Sequence, residues 1–579
     1  MTTRLSKDRP RRSYFDVVGP LVSLAMRRSA DRFIRETAQF DAVSGRTLDR
    51  ILWLNRRTAF ARRCGLDARS RRQVFASLPV TTYADYSPYI KRLAAGEQQV
   101  LSGDEVVYFS NTSGTTGPSK MIPVTRRQMR MGLSTKFTAM GLALRAGLLK
   151  PMRGRFMTIL IDHLNAPAAG GQQTGSATTG AFRKLMPIQE LIMTSPADVS
   201  HIAEQTASRY LHLLFGLREE RLWTIVAFFP ATILYAMRDL EARAEELLRD
   251  LADGTISPRL DLSPEVRRRL EGRLRPAPAR ARELTALLER GEFRIPDIWP
   301  ELGAVMTATG GAFRFYADQL RPFLGSVPIF SPVYAASEGT FGFGFSADRP
   351  HYLLLPNLAY IEFLPLQQIN DPQARPVASR QAEAGSCYEV VITTLAGFVR
   401  YRLHDIVKVL EFHGQTPIIE FVEREGQVVS VSSEKTAEHH IVEAIEIATH
   451  LVEEPLIDYF VAPDLDPTPG VYVLALEEWQ NDRDNRQKVR EFLRAVETAL
   501  CKVAPFYDEE RQLGTIGPME ALLLKPGAFE RYRSKLIAAG GSASQIKTPH
   551  CIPDPGFVRQ HFQSEVLDRV VADDDWSRT

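Results

Sequence analysis

Short β-rich runs, VVYF, FMTILI, TIVAFF, AVMTA and VPIFSPVY, recur along the chain with helical segments between them. Alternation of this kind restricts a chain to layered α/β architecture, because each strand needs a covering layer to bury its apolar side chains. From Ser29 to Ala76 the apolar positions recur at helical spacing among many arginines, which predicts surface helices with one packed face. Thr232 to Gly254 predicts one amphipathic helix stopped by its closing glycine. A length of 579 residues exceeds one ordinary core, at about 150 residues per domain. Composition changes near FVEREGQVV, Phe421 to Val429, where charges and a glycine interrupt two β-like runs. Beyond it the order strand, helix, two strands, helix, strand, helix predicts a compact α+β unit. The expected architecture is α/β: a large N-terminal domain over residues 1–423, with β-sheets layered by helices, and a smaller α+β C-terminal domain over 424–579 joined by a hinge.

Charge narrows the partners. The chain has 72 basic and 69 acidic side chains, a net +3, so no long-range field points to nucleic acid or an acidic membrane. The arginine-rich stretch PEVRRRLEGRLRPAPARAREL interleaves glutamates and lacks aromatics, which fits a solvated helical face better than an RNA contact. Cys64, Cys387, Cys501 and Cys551 are far apart and form no CxxC pair, which argues for reduced thiols and against zinc. The start is basic without the apolar run of a secretory signal, and no stretch of about 18 apolar residues occurs. These features predict a cytoplasmic monomer without membrane or nucleic-acid partners. The closing DDDWSRT reads as a solvated tail.

Chemistry concentrates in four stretches. SNTSGTTGPSK, Ser110 to Lys120, follows a strand-like run. Its glycines allow close backbone approach, and its N–H groups, hydroxyls and lysine could cradle a polyphosphate. It lacks the GxxxxGK[ST] spacing of a P-loop and has Met121 at the metal-binding hydroxyl position. Taken alone it reads equally as a surface turn. TATGGAFRFY, Thr307 to Tyr316, is a small-residue turn suited to lie beneath a flat base. SPVYAASEG supplies an aromatic face at Tyr334 and a hard oxygen ligand for magnesium at Glu338. YRLHDIVKV places Asp405 where one carboxylate could accept from two ribose hydroxyls. Singly, each has a plain reading as core, turn or surface acid. Their order gives them joint meaning.

Together they resemble the adenylate-forming superfamily of acyl-CoA ligases, luciferases and peptide-synthetase adenylation domains, with YAASE similar to its aromatic-to-acid motif. A finer resemblance is to the auxin-responsive acyl acid amido synthetases, the Gretchen Hagen family. It is carried, in order, by LPVTTYADYSPYIKRLAAGE, YLHLLFGLREERLWTIVAFF, NLAYIEFLP, YEVVITTLAGFVRYRLHDIVKV and GGSASQIKTPHC, over about residues 50 to 560. The resemblance implies a ligase using ATP and Mg2+ that adenylates a small carboxylic acid and passes the acyl group to an amino acid. It implies phosphate contacts from Thr112, Ser113, Gly114 and Thr115, and an adenine site between Gly310, Gly311, Ala312 and Tyr334. It further implies magnesium at Glu338, ribose at Asp405, a nucleotide contact from Arg424, and catalytic lysines at Lys435 and, foremost, Lys547.

The acid pocket is less legible. Thr178 and Thr179 lie where the family contacts nucleotide and acyl group, and Phe137, Met140 and Phe228 are candidate apolar walls. His404 stands where the family generally has glycine; its ring is expected to point away from the ribose acid. Pro118 stiffens the loop. His439 and His440, adjacent on a helix, diverge by about 100° and make no metal site. Two alternatives stay open: an acyl-CoA ligase sharing the adenylation step, and a nucleotide- or hormone-binding protein without chemistry.

Overall fold

The computed structural model describes residues 14–111, 120–160, 164–175, 186–202, 204–311, 313–347, 349–371, 373–432, 434–452, 456–477, 483–538 and 548–571. The alternating runs build a parallel sheet in the order Arg155–Thr158, Leu222–Val226, Ala304–Met306 and Ile329–Phe330. Helices lie in each of its crossovers, and the helix Gln205–Leu217 is buried on every side from Ala207 onward, with Ser208, Arg209 and His212 among its buried residues. The strand Val106–Asn111 lies elsewhere. It pairs antiparallel with Met121–Thr125 and parallel with Gln173–Gly175.

The arginine-studded start forms the expected helices, Tyr14–Thr37, Phe40–Asn55, Ala59–Arg63 and Arg71–Ser77. The helix expected from Thr232 to Gly254 divides at Arg243 into Pro230–Ala242 and Ala244–Asp253, and Gly254 ends the second with φ +71. The arginine-rich stretch is less solvated than its composition suggests. Arg280 turns inward to the carbonyls of Leu217 and Ile298, and Arg267 to those of Ile256, Ser257 and Leu260.

The sequence reading does not anticipate an eight-stranded antiparallel sheet. Its order is Val377–Ala378, Ala359–Pro365, Cys387–Thr394, Tyr401–His413, Thr416–Arg424, His351–Leu354, Gly339–Gly344 and Val333–Ala336. Cys387–Thr394 is buried on both faces, Glu389, Thr393 and Thr394 included, so its side chains show no in–out alternation. Tyr401–His413 alternates: Tyr401, Leu403, Asp405, Val407 and Val409 face inward. The N-terminal helices are tied to this sheet. Thr81 and Tyr86 both donate to the Val399 carbonyl at 2.8 Å, and Arg400 reaches the carbonyls of Ala76 and Leu78.

After Gly426 the chain forms a smaller α+β domain. Its sheet runs Tyr459–Asp464, Val471–Glu477, Glu520–Leu524 and Val566–Val571, with helices Glu438–Val452 and Arg483–Val503 packed together. The final strand and the helix Pro505–Leu513 are additions to the expected order. One hydrophobic core runs from Ile225, Val305 and Ile329 of the parallel sheet into Tyr459, Leu474 and Leu523 of the small sheet. No helix among the described residues is long and apolar enough to cross a membrane.

Gly397 lies in the turn that brings the large sheet against the chain at Leu101. Its φ is +99, and an added Cβ would stand 1.9 Å from the Leu101 carbonyl oxygen. Gly397→Ala is expected to lower the unfolding free energy by about 2–3 kcal/mol in urea denaturation. An unchanged midpoint would contradict that packing.

Candidate active site

The site begins with two neighbouring strands. Asp405 stands opposite Arg424 in the pairing of Tyr401–His413 with Thr416–Arg424. The Arg424 Nε lies 3.9 Å from one Asp405 oxygen, and the Tyr334 hydroxyl donates to the other at 2.8 Å. Burial first, and then the Asp405 charge, push the Tyr334 phenol well above its ordinary value, so it remains a donor. The Tyr334 ring is surrounded by Phe341, Tyr352 and Phe421. Phe421 in turn abuts the glycine turn after strand Ala304–Met306: a Cβ on Gly311 would come within 2.9 Å of it, and Gly311 has φ +56. Glycine is required there on both counts.

Glu338 sits in the tight turn between Val333–Ala336 and Gly339–Gly344 and is 5% exposed. Its carboxyl is held above the ordinary value, chiefly by burial and further by Asp405, against the opposing pull of Arg424, its own backbone N–H and a hydrogen bond from Tyr401. Gln128 Nε2 reaches the Glu338 carbonyl at 3.4 Å. Tyr83 joins this cluster to the hydroxyl-rich stretch. Its hydroxyl exchanges hydrogen bonds with the Met121 backbone, its ring carries Lys120 Nζ 5.5 Å away, and its phenol feels the Glu338 charge. Asn111 pairs with Met121, so both ends of the segment 112–119 meet at one edge of this site. Ser110 also pairs with Gly175 in parallel, so the segment following Gly175 departs from the same strand ends.

Of the residues singled out in sequence, the structure brings together Gly310, Gly311, Tyr334, Glu338, Asp405 and Arg424. Phe228 is 40% exposed and its carbonyl accepts from Ala308 N, which sets it beside the glycine turn. Phe137 is 41% exposed on the helix Arg126–Arg145, whereas half-buried Met140 packs on the cluster of Trp223 and Phe330. Lys435 is exposed in the small domain with φ +51. Thr112, Ser113, Gly114, Thr115, Pro118, Thr178, Thr179, Ala312 and Lys547 lie outside the described residues. Tyr83, Gln128, Tyr401 and Phe421 are additions. Tyr401 was accessible to sequence reasoning, since it shares strand parity with Asp405; the others depend on long-range pairing.

His404 turns away from the site, as expected. Ile406 faces Glu389 and Arg402 faces Val391, so four positions on one strand span two on the other, a bulge in which His404 has φ +62. That backbone explains why glycine suits the position. The His404 Nδ1 lies 2.6 Å from Glu425, while Arg402 reaches both Glu389 and Glu425. Glu389, His404 and Glu425 approach closely enough to hold a cation. Arg402 already supplies the positive charge there. The His439 and His440 rings, expected to diverge, lie with centroids 4.0 Å apart, because the His439 Nδ1 is drawn to within 2.7 Å of Glu423, linking the small domain's first helix to the end of the large sheet.

Comparison with known proteins supplies independent information. The GH3 family N-terminal domain matches residues 29–329, the GH3 family central domain 352–424 and the GH3 family C-terminal domain 439–556. A protein named jasmonoyl-L-amino acid synthetase from Nicotiana attenuata is 30% identical over 553 residues, 91% of this chain and 93% of that one. One named indole-3-acetic acid-amido synthetase from Oryza sativa subsp. indica is 31% identical over 574 residues, 93% and 92% of the two chains. A solved structure titled as an acyl acid amido synthetase in complex with 2,4-DB superposes with a TM-score of 0.82 at 24% identity, covering 96% of this chain and 98% of that one.

The hydrogen bond to Glu423 raises the His439 pKa, with burial opposing it. Its stabilising effect is therefore complete below the unfolded value near 6.5 and is lost as pH rises through the higher folded value. The effect is small, because the His439 side chain is 38% exposed and solvent screens the pair. His439→Gln is expected to remove this descending limb from the pH profile of unfolding; a profile identical to that of the parent would discount the link.

Proposed function

The chain belongs to the GH3 family, and from that premise we propose that it is an ATP-dependent acyl acid amido synthetase, a ligase forming a carbon–nitrogen bond between a small carboxylic acid and an amino acid. The observation that carries the reading is the convergence of Tyr334, Asp405, Arg424 and Glu338 beside both ends of the hydroxyl-rich segment.

In the first step a carboxylate oxygen of the acid attacks the α-phosphorus of ATP, the bond to the bridging oxygen breaks, and pyrophosphate leaves. In the second, the amino acid's amine attacks the carbonyl carbon of the mixed anhydride, sheds a proton, and AMP departs with the electron pair. A free carboxylate is a poor electrophile, whereas the anhydride carries a good leaving group. Asp405 already accepts the Tyr334 hydroxyl at one oxygen, which orients the other lone pairs toward ribose hydroxyls. Tyr334, Gly310, Gly311 and Ala312 form the adenine seat, Arg424 contacts the nucleotide, and Thr112, Ser113, Gly114 and Thr115 hold the phosphates.

Magnesium fits Glu338. Burial and Asp405 both press its carboxyl toward protonation, a cost that a bound cation offsets, and one hard oxygen ligand suffices where phosphates and waters complete the shell. When bound, Mg2+ neutralises phosphate charge. Lys547 is assigned the charge developing at phosphorus, with Lys435 in a supporting role. Thr178, Thr179, Phe137, Met140 and Phe228 are the candidate acid-pocket residues. Residues 1–423 act as the nucleotide- and acid-binding domain and 424–579 as the mobile one. Its hinge is Glu423 to Gly426, where Gly426 has φ +85.

Incubation with panels of carboxylic acids and labelled pyrophosphate is expected to show exchange into ATP, dependent on Mg2+. Silence across broad panels would defeat the assignment, and product masses containing CoA instead of an amino acid would redirect it to a thioester ligase. Asp405→Ala is expected to raise the KM for ATP about tenfold or more, whereas Lys547→Ala lowers the adenylation rate far more than ATP affinity. Equal loss of both with Lys547→Ala would contradict its role.

A further inference from the structure

A buried ionic network lies where the small domain meets the large one, outside the site described above. Its centre is Asp458, fully buried at the entrance of strand Tyr459–Asp464. From the small domain it receives Arg533 at 3.1 Å, the Thr548 hydroxyl at 2.8 Å and the Tyr459 N–H at 2.9 Å, with the His550 ring 3.6 Å away. From the large domain it receives the hydroxyls of Tyr316 at 2.5 Å and Tyr235 at 3.2 Å. Burial opposes ionisation of Asp458, but the His550 and Arg533 groups prevail and hold its carboxyl below the ordinary value.

Two positions in this network bear on the reaction. Tyr316 belongs to the helix Phe313–Gln319, which follows directly on the glycine turn of the nucleotide seat. Thr548 directly follows Lys547 in the chain. Beyond Thr548 the backbone is pinned to the small sheet: Val461 N donates to the His550 carbonyl at 2.8 Å and Ile552 N to Val461 at 2.9 Å. The contacts also divide along domain lines. If the domains part, Asp458 keeps Arg533 and Thr548, and Arg209 keeps Asp239 at 2.6 Å while giving up Glu530 at 2.9 Å. Among the described residues the boundary is also crossed by Arg314 with Glu446 at 3.5 Å and by His550 Nε2 with the Tyr316 hydroxyl at 3.1 Å, but the two deeply buried charges, Asp458 and Arg209, each keep a partner within their own domain.

We propose that Asp458 is a positioning residue for adenylation: it seats the Thr548 segment on the large domain through the Tyr235 and Tyr316 hydroxyls, a seat whose release leaves Asp458 paired with Arg533. This inference rests on the ligase reading above. It differs from a merely structural role in predicting that the two half-reactions respond differently.

The test is the double variant Tyr235→Phe with Tyr316→Phe, which removes the cross-domain donors and leaves the Asp458–Arg533 pair intact. Pyrophosphate exchange is expected to fall about tenfold in kcat with the KM for ATP within about twofold, while single-turnover transfer from preformed acyl-adenylate keeps its rate. Trypsin should cleave between Lys547 and Thr548 several-fold faster than in the parent. Exchange at the parental rate, or an equal fall in both half-reactions, overturns the positioning role. A parent that forms no acyl-adenylate with any acid overturns the ligase reading instead; cleavage no faster in the variant then still overturns the anchoring.

Discussion

A carboxylate taken out of water must find donors, and at this site the donors are largely phenols. Tyr334 meets Asp405, Tyr401 meets Glu338, and Arg424 lies within reach of both acids' fields. None of these groups could be buried alone without a cost of several kcal/mol. Their mutual satisfaction lets two acids stand side by side at the edge of the large sheet, where an anionic ligand with its own hydroxyls and counter-ions can exploit them. The architecture around them follows from that need. A 13-residue strand keeps Tyr401 and Asp405 on one face, the adjacent strand places Arg424 opposite Asp405, and a hairpin brings Tyr334 and Glu338 over the same face.

The same chemistry recurs at the domain boundary, where Tyr235 and Tyr316 cap Asp458. The difference lies in where the counter-ion sits. At the Tyr334 site Asp405 and Arg424 belong to one sheet, which makes the geometry rigid. At the boundary the Asp458–Arg533 pair belongs wholly to the small domain and the phenols to the large one, so parting them leaves that pair intact. A ligase with two successive steps has use for both kinds of contact.

Much of the fold was legible. The runs FMTILI, TIVAFF, AVMTA and VPIF became adjacent parallel strands because a βαβ crossover leaves a strong local signature. The large antiparallel sheet escaped notice. Its strands Cys387–Thr394 and Ala359–Pro365 are covered on both faces, which erases the alternation that betrays a half-buried strand. Arg243 divides a helix that its apolar spacing joins, because Arg243 leaves helical geometry while the register of buried residues continues. In the site, Asp405, Glu338 and Tyr334 were identifiable from motif resemblance, yet Tyr83 and Phe421 were not, since each touches the site from a strand or helix distant in sequence.

By itself, then, the sequence determined the layered α/β class, the division into a large and a small unit, and the motifs that carry Tyr334, Glu338, Asp405 and Arg424, because periodicity and local composition are properties of neighbouring residues. Tertiary structure alone decided which acid meets which phenol, that the strand bulges at His404, and that Asp458 takes donors from two domains. Those outcomes depend on strand register and on packing between segments hundreds of residues apart, and such pairings are settled only when burial compels each charge to find a partner.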